Sequence, residues 1–388
     1  MGQSSIDEKQ ASRAILTTCL AALFGFMGIG VVDPILPVIA EQIGATPWQV
    51  EMLFTSYIFM MAIIMIPSGI LSAKFGSKRF MVLGLGLVTL FALACALSSS
   101  ITQLAVLRAG WGMGNAMFFA TSMSILIGMS TNLEKSMGYY EAALGVGMSV
   151  GPLLGGLLGY FGWRMPFFAT SVFMLIAFLM TIAYVKEPKE TAKRDYGMKD
   201  FIAALSYRPF LNVALTAMFY YYSFFTVLAY SPIFLKLGAI QLGLIFFAWG
   251  ICLGFGSTKL AHGMINRYGA ASVSRIGLVL MAVALLLILV IPSNVFRIAV
   301  IIASGLASGI NNTTFSTLAI EVSNAQRSIA SGAYNFVRWL GAAIAPVLAG
   351  FVERLFGTAP YAISLVLVLI GVILCSIGIA RSSHSSHA

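Results

Sequence analysis

The chain has 388 residues, of which 59% are hydrophobic and only 9% charged, and its mean hydropathy is +0.94. Soluble proteins carry roughly a quarter charged residues, so 23 basic and 13 acidic side chains cannot cover a water-soluble globule of this size. Composition excludes a soluble enzyme and an ordinary nucleic-acid binder, and the net charge of +10 acquires meaning only from where it sits.

A helix needs about 20 mainly apolar residues to cross a bilayer. In chain order, twelve such runs lie at about 14–37, 50–72, 80–99, 102–128, 134–160, 165–185, 210–235, 240–262, 274–292, 295–320, 328–354 and 359–380. The pattern predicts an all-α membrane protein: a tail over 1–13, a six-helix bundle over 14–185, a polar linker over 186–209, a second bundle over 210–380 and a tail over 381–388. The first run is too long for a signal-peptide core and is expected to remain as a span. The linker segment Lys186–Arg208 holds six basic and four acidic residues, with one short surface helix expected at Lys199–Ser206.

Sixteen basic residues, from Lys9 and Arg13 through Lys78 and Arg79 to Arg381, fall in the tails and one set of alternate loops. The opposite set holds Arg164, Lys236, Arg297 and Arg354. Basic loops stay on the cytoplasmic side, so both tails are expected in the cytoplasm of a cell with this protein in its inner (plasma) membrane. Cys19, Cys95, Cys252 and Cys375 all fall inside spans, where thiols act as small apolar packing residues, so neither a disulfide nor a metal site is expected.

Charges inside a span cost about 2.5–3.5 kcal/mol even on insertion scales and read as functional by default. Asp33 lies in the outer half of the first run, and Arg108 lies about six residues, roughly 9 Å, from the outer end of the fourth. Glu141 lies about seven residues into the fifth run from the cytoplasmic side, and Arg338 about ten into the eleventh, near the midplane. Glu51, Glu321, Glu353 and Lys259 are close enough to helix ends to reach water. A buried carboxyl near a cation is poised between two opposed electrostatic effects, which is what a proton carrier needs. Asp33 and Glu141 are therefore the candidate proton-coupling acids, with Arg108 and Arg338 tuning them or touching substrate; a static Asp33–Arg108 pair is the structural alternative.

Helical spacing also nominates a substrate cavity. Phe26 shares a face with Gly30 and Asp33, and Trp111, Asn115, Phe118 and Ser122 continue the face that Arg108 begins. The seventh run supplies Tyr221 and Phe225, the tenth Asn311 and Phe315, and the eleventh Tyr334 and Asn335. Aromatic rings with a few polar groups suit amphipathic or cationic ligands.

The halves match at an offset of about 194 residues: Gly138, Tyr140, Gly147, Pro152 and Gly156 meet Gly332, Tyr334, Gly341, Pro346 and Gly350. Lys74-Phe75-Gly76 likewise meets Arg267-Tyr268-Gly269. Parallel repeats of this kind build carriers that rock about a midplane site. Gly147, Gly151, Gly155 and Gly159 recur every four residues, a stripe that lets another helix approach closely. Its partner is either a neighbour in ordinary packing or the eighth span of the other half, closing a gate.

Four stretches resemble the major facilitator superfamily, and within it the twelve-helix drug:proton antiporter branch. Gly69, Lys74, Gly76, Lys78 and Arg79 are similar to its G-x-L-a-D-r-x-G-r-k loop signature, with Ala73 in place of the acid. Arg108, Gly112 and Gly114 resemble the fourth-helix R-x-x-q-G-x-g motif, with Trp111 in place of Gln. Gly147, Gly151, Pro152, Gly155 and Gly156 resemble the antiporter motif G-x-x-x-G-P-x-x-G-G, and Asp33, Pro34 and Pro37 the exporters' D-P-x-L-P. The resemblance implies twelve helices in two pseudo-symmetric bundles and proton-coupled export of lipophilic or amphipathic small molecules. An exporter of a particular sugar, siderophore or lipid-linked metabolite is the first alternative, and a non-transporting receptor the second. No G-x-x-x-x-G-K-[ST] phosphate-binding run is present, so protons rather than ATP are the expected energy source, with no cofactor. A small-molecule substrate and the lipid bilayer are the expected partners, without nucleic acid. Both halves lie in one chain, so a monomer is expected.

Overall fold

A computed structural model describes residues 8–130, 133–187, 198–325, 327–353 and 355–385. Twelve long helical stretches cross the molecule. The first is α1 (Glu8–Gly30), which breaks into a 3-10 turn at Asp33–Ile35 and resumes as α2 (Leu36–Ile43). Pro34 and Pro37 have no amide hydrogen to donate, which explains why the expected continuous helix is interrupted there. Next come α3 (Pro47–Phe75), α4 (Ser77–Ala96), α5 (Ile101–Met129), α6 (Leu133–Gly159) and α7 (Met165–Tyr184). After the linker helix α8 (Met198–Ser206), the second half holds α9 (Arg208–Phe225) and α10 (Ser231–Leu235), joined by a π-turn. A second π-turn joins α11 (Ala239–Phe255) to α12 (Ala261–Tyr268). The remaining spans are α13 (Ala270–Val290), α14 (Asn294–Val322), α15 (Arg327–Val352) and α16 (Ala359–Ser385).

Eleven of these stretches are long and apolar enough to cross a membrane. The twelfth is α5, which has the length but carries Arg108 and Asn115 in its middle. α1 starts and α16 ends on one face, here the tail face; the turns at Gly44 and Lys236 lie on the distal face. Gly76 and Gly269 end α3 and α12 with φ of 100° and 76°, values that a side chain would oppose, so the two repeat copies turn in the same way. Lys236 makes the left-handed cap (φ 52°) that Gly44 (φ 69°) makes in the first half.

Within the first half α3 and α4 pack on α5, and α1 on α6; within the second, α13 and α11 pack on α14 and α15 on α9. The halves meet along two seams, α6 with α11 and α3 with α15. α8 belongs to the second half: it lies on α9 and α15, with the Phe201 ring 5.7 Å from that of Phe336.

Candidate functional site

The glycine stripe of α6 has a different partner from a gate. Cβ atoms on Gly147, Gly151 and Gly155 would collide with backbone carbonyls of Leu23, Met27 and Val31, so this stripe seats α1 inside its own half. The seam with α11 uses the neighbouring face. A Cβ on Gly156 would strike the Ala239 carbonyl and lie 3.0 Å from Gly243 Cα, and one on Gly243 would lie 2.8 Å from the Pro152 carbonyl oxygen. Further along, a Cβ on Gly250 would lie 2.6 Å from Ser149 Cα. One turn nearer the tail face the seam has parted: Cβ atoms on Gly145 or Gly254 would meet no described atom within 4 Å. The same holds for Gly69 and Gly332 near the tail ends of α3 and α15. The halves are closed at the distal face and separate toward the tail face.

At the closed end, Asp33 and Arg108 are both buried. Arg108 Nε donates to the Leu53 carbonyl at 3.4 Å, and its guanidinium lies 4.5 Å from the Tyr57 ring centre and 4.9 Å from that of Trp111. The two terminal guanidinium nitrogens and Asp33 Oδ1 have no hydrogen-bond partner among the described residues, although the two charges act on each other. This is a facing pair rather than a closed salt bridge. Asn115 Nδ2 donates to the Tyr57 hydroxyl, and Ser122 shares a hydrogen bond of 2.8 Å with Tyr140.

The face of α5 nominated as a cavity lining is tightly packed in this structure. Trp111, Asn115 and Phe118 are fully buried, and Trp111 packs edge-on against Tyr57 and Phe167. They form the interior of the first half. Asn311 and Phe315 are likewise enclosed in the second half: a Cβ on Gly277 of α13 would strike the Asn311 side chain, and Phe315 stacks on Tyr220 at 6.1 Å. A core-facing stripe and a cavity-facing stripe have the same period, so spacing cannot distinguish them. Phe26 is half-buried beside Phe119, at 4.5 Å.

The second half builds the better candidate for ligand contact. The Arg338 guanidinium lies 4.6 Å from the ring centre of Tyr221, 5.1 Å from Tyr334 and 5.8 Å from Trp339. Phe225 extends this cage through Trp339 at 5.7 Å. Arg338 and Asn335 are only half-buried. Tyr57 and Trp339 escaped the sequence reading, because no intramembrane charge on its own helix face drew attention to Tyr57 and Trp339 follows Arg338 directly.

Glu51 was expected to reach water, and it does not. It is fully buried, enclosed by α15 of the other half, whose Gly350 would place a Cβ 3.2 Å from Glu51 Cγ. Glu321 and Lys259 are exposed, as their positions near helix ends suggested. A carboxylate from outside the loop motif sits at the α3–α4 turn, and the sequence did not reveal it. Glu187, beyond the end of α7, accepts from the Ser77 amide and from the Lys78 amide at 3.1 Å, covering the first turn of α4. The side chains of Glu141 and Lys74 lie outside the described residues, so their expected roles have no geometry here.

The family model described as Major Facilitator Superfamily matches residues 18–346. The chain belongs to this superfamily. The multidrug efflux protein YfmO of Bacillus subtilis (strain 168) is 39% identical over 373 residues, covering 94% of this chain and 93% of that one. The quinolone resistance protein NorA of Staphylococcus aureus is 29% identical over 222 residues, covering 53% of this chain and 57% of its own. Among solved structures, a bacterial homologue of the human lysosomal transporter Spinster, inward-facing and unoccupied, aligns over 98% of this chain and 96% of its own with a TM-score of 0.74 at 16% identity. That likeness concerns the fold alone. The protein is thus a multi-pass membrane protein of a transporter superfamily.

Proposed function

We propose that this chain is a proton-coupled exporter of lipophilic or amphipathic small molecules, working by alternating access, as a monomer, in the plasma membrane with its tail face in the cytoplasm. The observation that carries this reading is the pair of seams, shut at the distal face and parted toward the tail face, above an aromatic cage around a half-buried Arg338. The extensive similarity to a multidrug efflux protein supports the substrate class. The bias of basic residues toward the tail face supports the orientation.

In the cycle, a proton from outside reaches Asp33 beside Arg108, or Glu141, and the carrier turns inward. Substrate enters from the tail face, the proton leaves, and the loaded carrier turns outward again. Asp33 suits this task because it sits at the break between α1 and α2, roughly 15 Å from the Gly44 turn, and faces Arg108 without being tied to it. An acid locked in a salt bridge would hold its proton state through the cycle.

The test is efflux from proteoliposomes with an imposed pH step. Asp33→Asn should abolish gradient-driven efflux of a cationic dye while the variant still folds and binds dye; wild-type efflux in the variant would refute the proton role. Arg338 in the cage favours a second reading, export of an anionic metabolite, and the same assay with anionic substrates separates the two.

A further inference from the structure

Glu51 stands one turn into α3, at the distal seam between the halves. Its side chain is fully buried, and neither carboxylate oxygen has a hydrogen-bond partner among the described residues. Trp48 and Glu51 form the surface on which Gly350 of α15 rests, with a would-be Cβ 2.9 Å from Trp48 Cα. Glu353 lies three residues beyond Gly350, on the same side of α15, and its charge acts on Glu51, as does that of Asp33 from the 3-10 turn. Three acids therefore converge where the seam is shut.

The other groups around Glu51 do not neutralise it. Tyr230 of the π-turn and Tyr361 of α16 feel its charge, and neither is a cation. Arg108 of α5 is engaged with Leu53, Tyr57 and Trp111 and faces Asp33. Arg297 of α14 donates to the Ile288 carbonyl and lies over Phe234. Glu41 of α2 is exposed, and the side chain of Arg354 lies outside the described residues.

We propose that Glu51 is a gating proton site: the neutral acid lets α3 and α15 close at the distal face, and the carboxylate forces them apart. An ionised carboxylate shut into this seam would lose its water, gain no donor in exchange and repel two neighbouring acids. Opening the seam returns it to water. The neutral acid meets neither obstacle. A proton from the distal side is then what permits the inward turn, and its loss to that side accompanies the outward turn. This site rests on the alternating access proposed above, but not on which acid carries the coupled proton.

The test reads the seam directly. Spin labels at Trp48→Cys and Leu355→Cys, both exposed and on opposite halves, report the α3–α15 distance in nanodiscs across a pH series. A state that holds one fewer proton gains population about tenfold per pH unit across the window where the two states differ in protonation. The labels in the otherwise wild-type protein should therefore move apart as pH rises. Glu51→Gln should stay closed throughout, and Glu353→Gln, which removes one repelling neighbour, should shift the opening toward higher pH. Glu51→Gln opening with the unaltered pH dependence, or no pH dependence without it, would overturn the proposal. If Asp33→Asn stops gradient-driven efflux but the seam ignores pH, the gate fails and the proton-coupled reading stands. If the seam follows Glu51 while no substrate is driven by a pH step, the gate stands and that reading fails.

Discussion

Gly156→Ala tests whether the α6–α11 seam is a gate rather than a fixed packing contact. The added methyl would strike the Ala239 carbonyl and press on Gly243 Cα at 3.0 Å, and both are backbone that cannot rotate away. Overpacking of this kind costs about 1–3 kcal/mol. The collision exists only while the distal face is closed, so the cost falls on that state. The ratio of distal-open to distal-closed molecules should rise by roughly 5- to 150-fold. With the four native cysteines replaced, spin labels at Tyr160→Cys and Ile240→Cys flank the distal cleft lined by both residues, and their distance distribution should shift to longer separations. Two controls separate gating from folding. Gly145→Ala meets no described atom within 4 Å and should leave the distribution unchanged. Gly151→Ala collides with Met27 inside one half and should lower thermal stability without favouring the open state. A stable Gly156→Ala protein with the parent distance distribution would refute the gate.

Arg338→Lys replaces a planar cation over Tyr221 and Trp339 with a point charge and should cost about 1 kcal/mol of cage interaction. Substrate binding followed by tryptophan quenching should weaken roughly fivefold, and unchanged affinity would remove the cage from the site. Tyr57→Phe strands the Asn115 amide in a buried site, a loss of about 1–3 kcal/mol. Thermal unfolding should show it, and a Tyr57→Phe, Asn115→Leu double variant should lose less than the sum of the singles. Glu187→Gln weakens the acceptor of two amides at the start of α4, where an exposed anion is worth about 0.3–1 kcal/mol. Exchange of the Ser77 and Lys78 amide hydrogens should accelerate about two- to fivefold; equal rates would show the contact to be incidental.

The spans were legible because each needs a long apolar run, and the repeat because its turns need glycine at Gly76 and Gly269. The Asp33–Arg108 neighbourhood was legible from depth alone, since two charges at one height in a bundle have few places to go. The seam was harder to read. α6 carries two close-approach faces one residue apart, Gly155 toward α1 and Gly156 toward α11, and a four-residue spacing does not say which neighbour lies opposite. Glu51 was hidden for a related reason: what buries it comes from the other half, about 300 residues away in sequence. Position within its own helix contains no trace of that cover. Glu187 reaches the amides of Ser77 and Lys78 from about 110 residues away in sequence, so a motif search centred on Ala73 could not find it.

The linker is held at both ends by different halves. Glu187 fastens its start to the head of α4, while Phe201 fastens its far side to α15. Only residues 188–197 lie between Glu187 and α8, and ten residues span at most about 36 Å when fully extended. The chain between these two contacts joins the halves covalently, so whatever its path, its contour length bounds how far the Glu187 contact on the first bundle and the Phe201 contact on the second can separate.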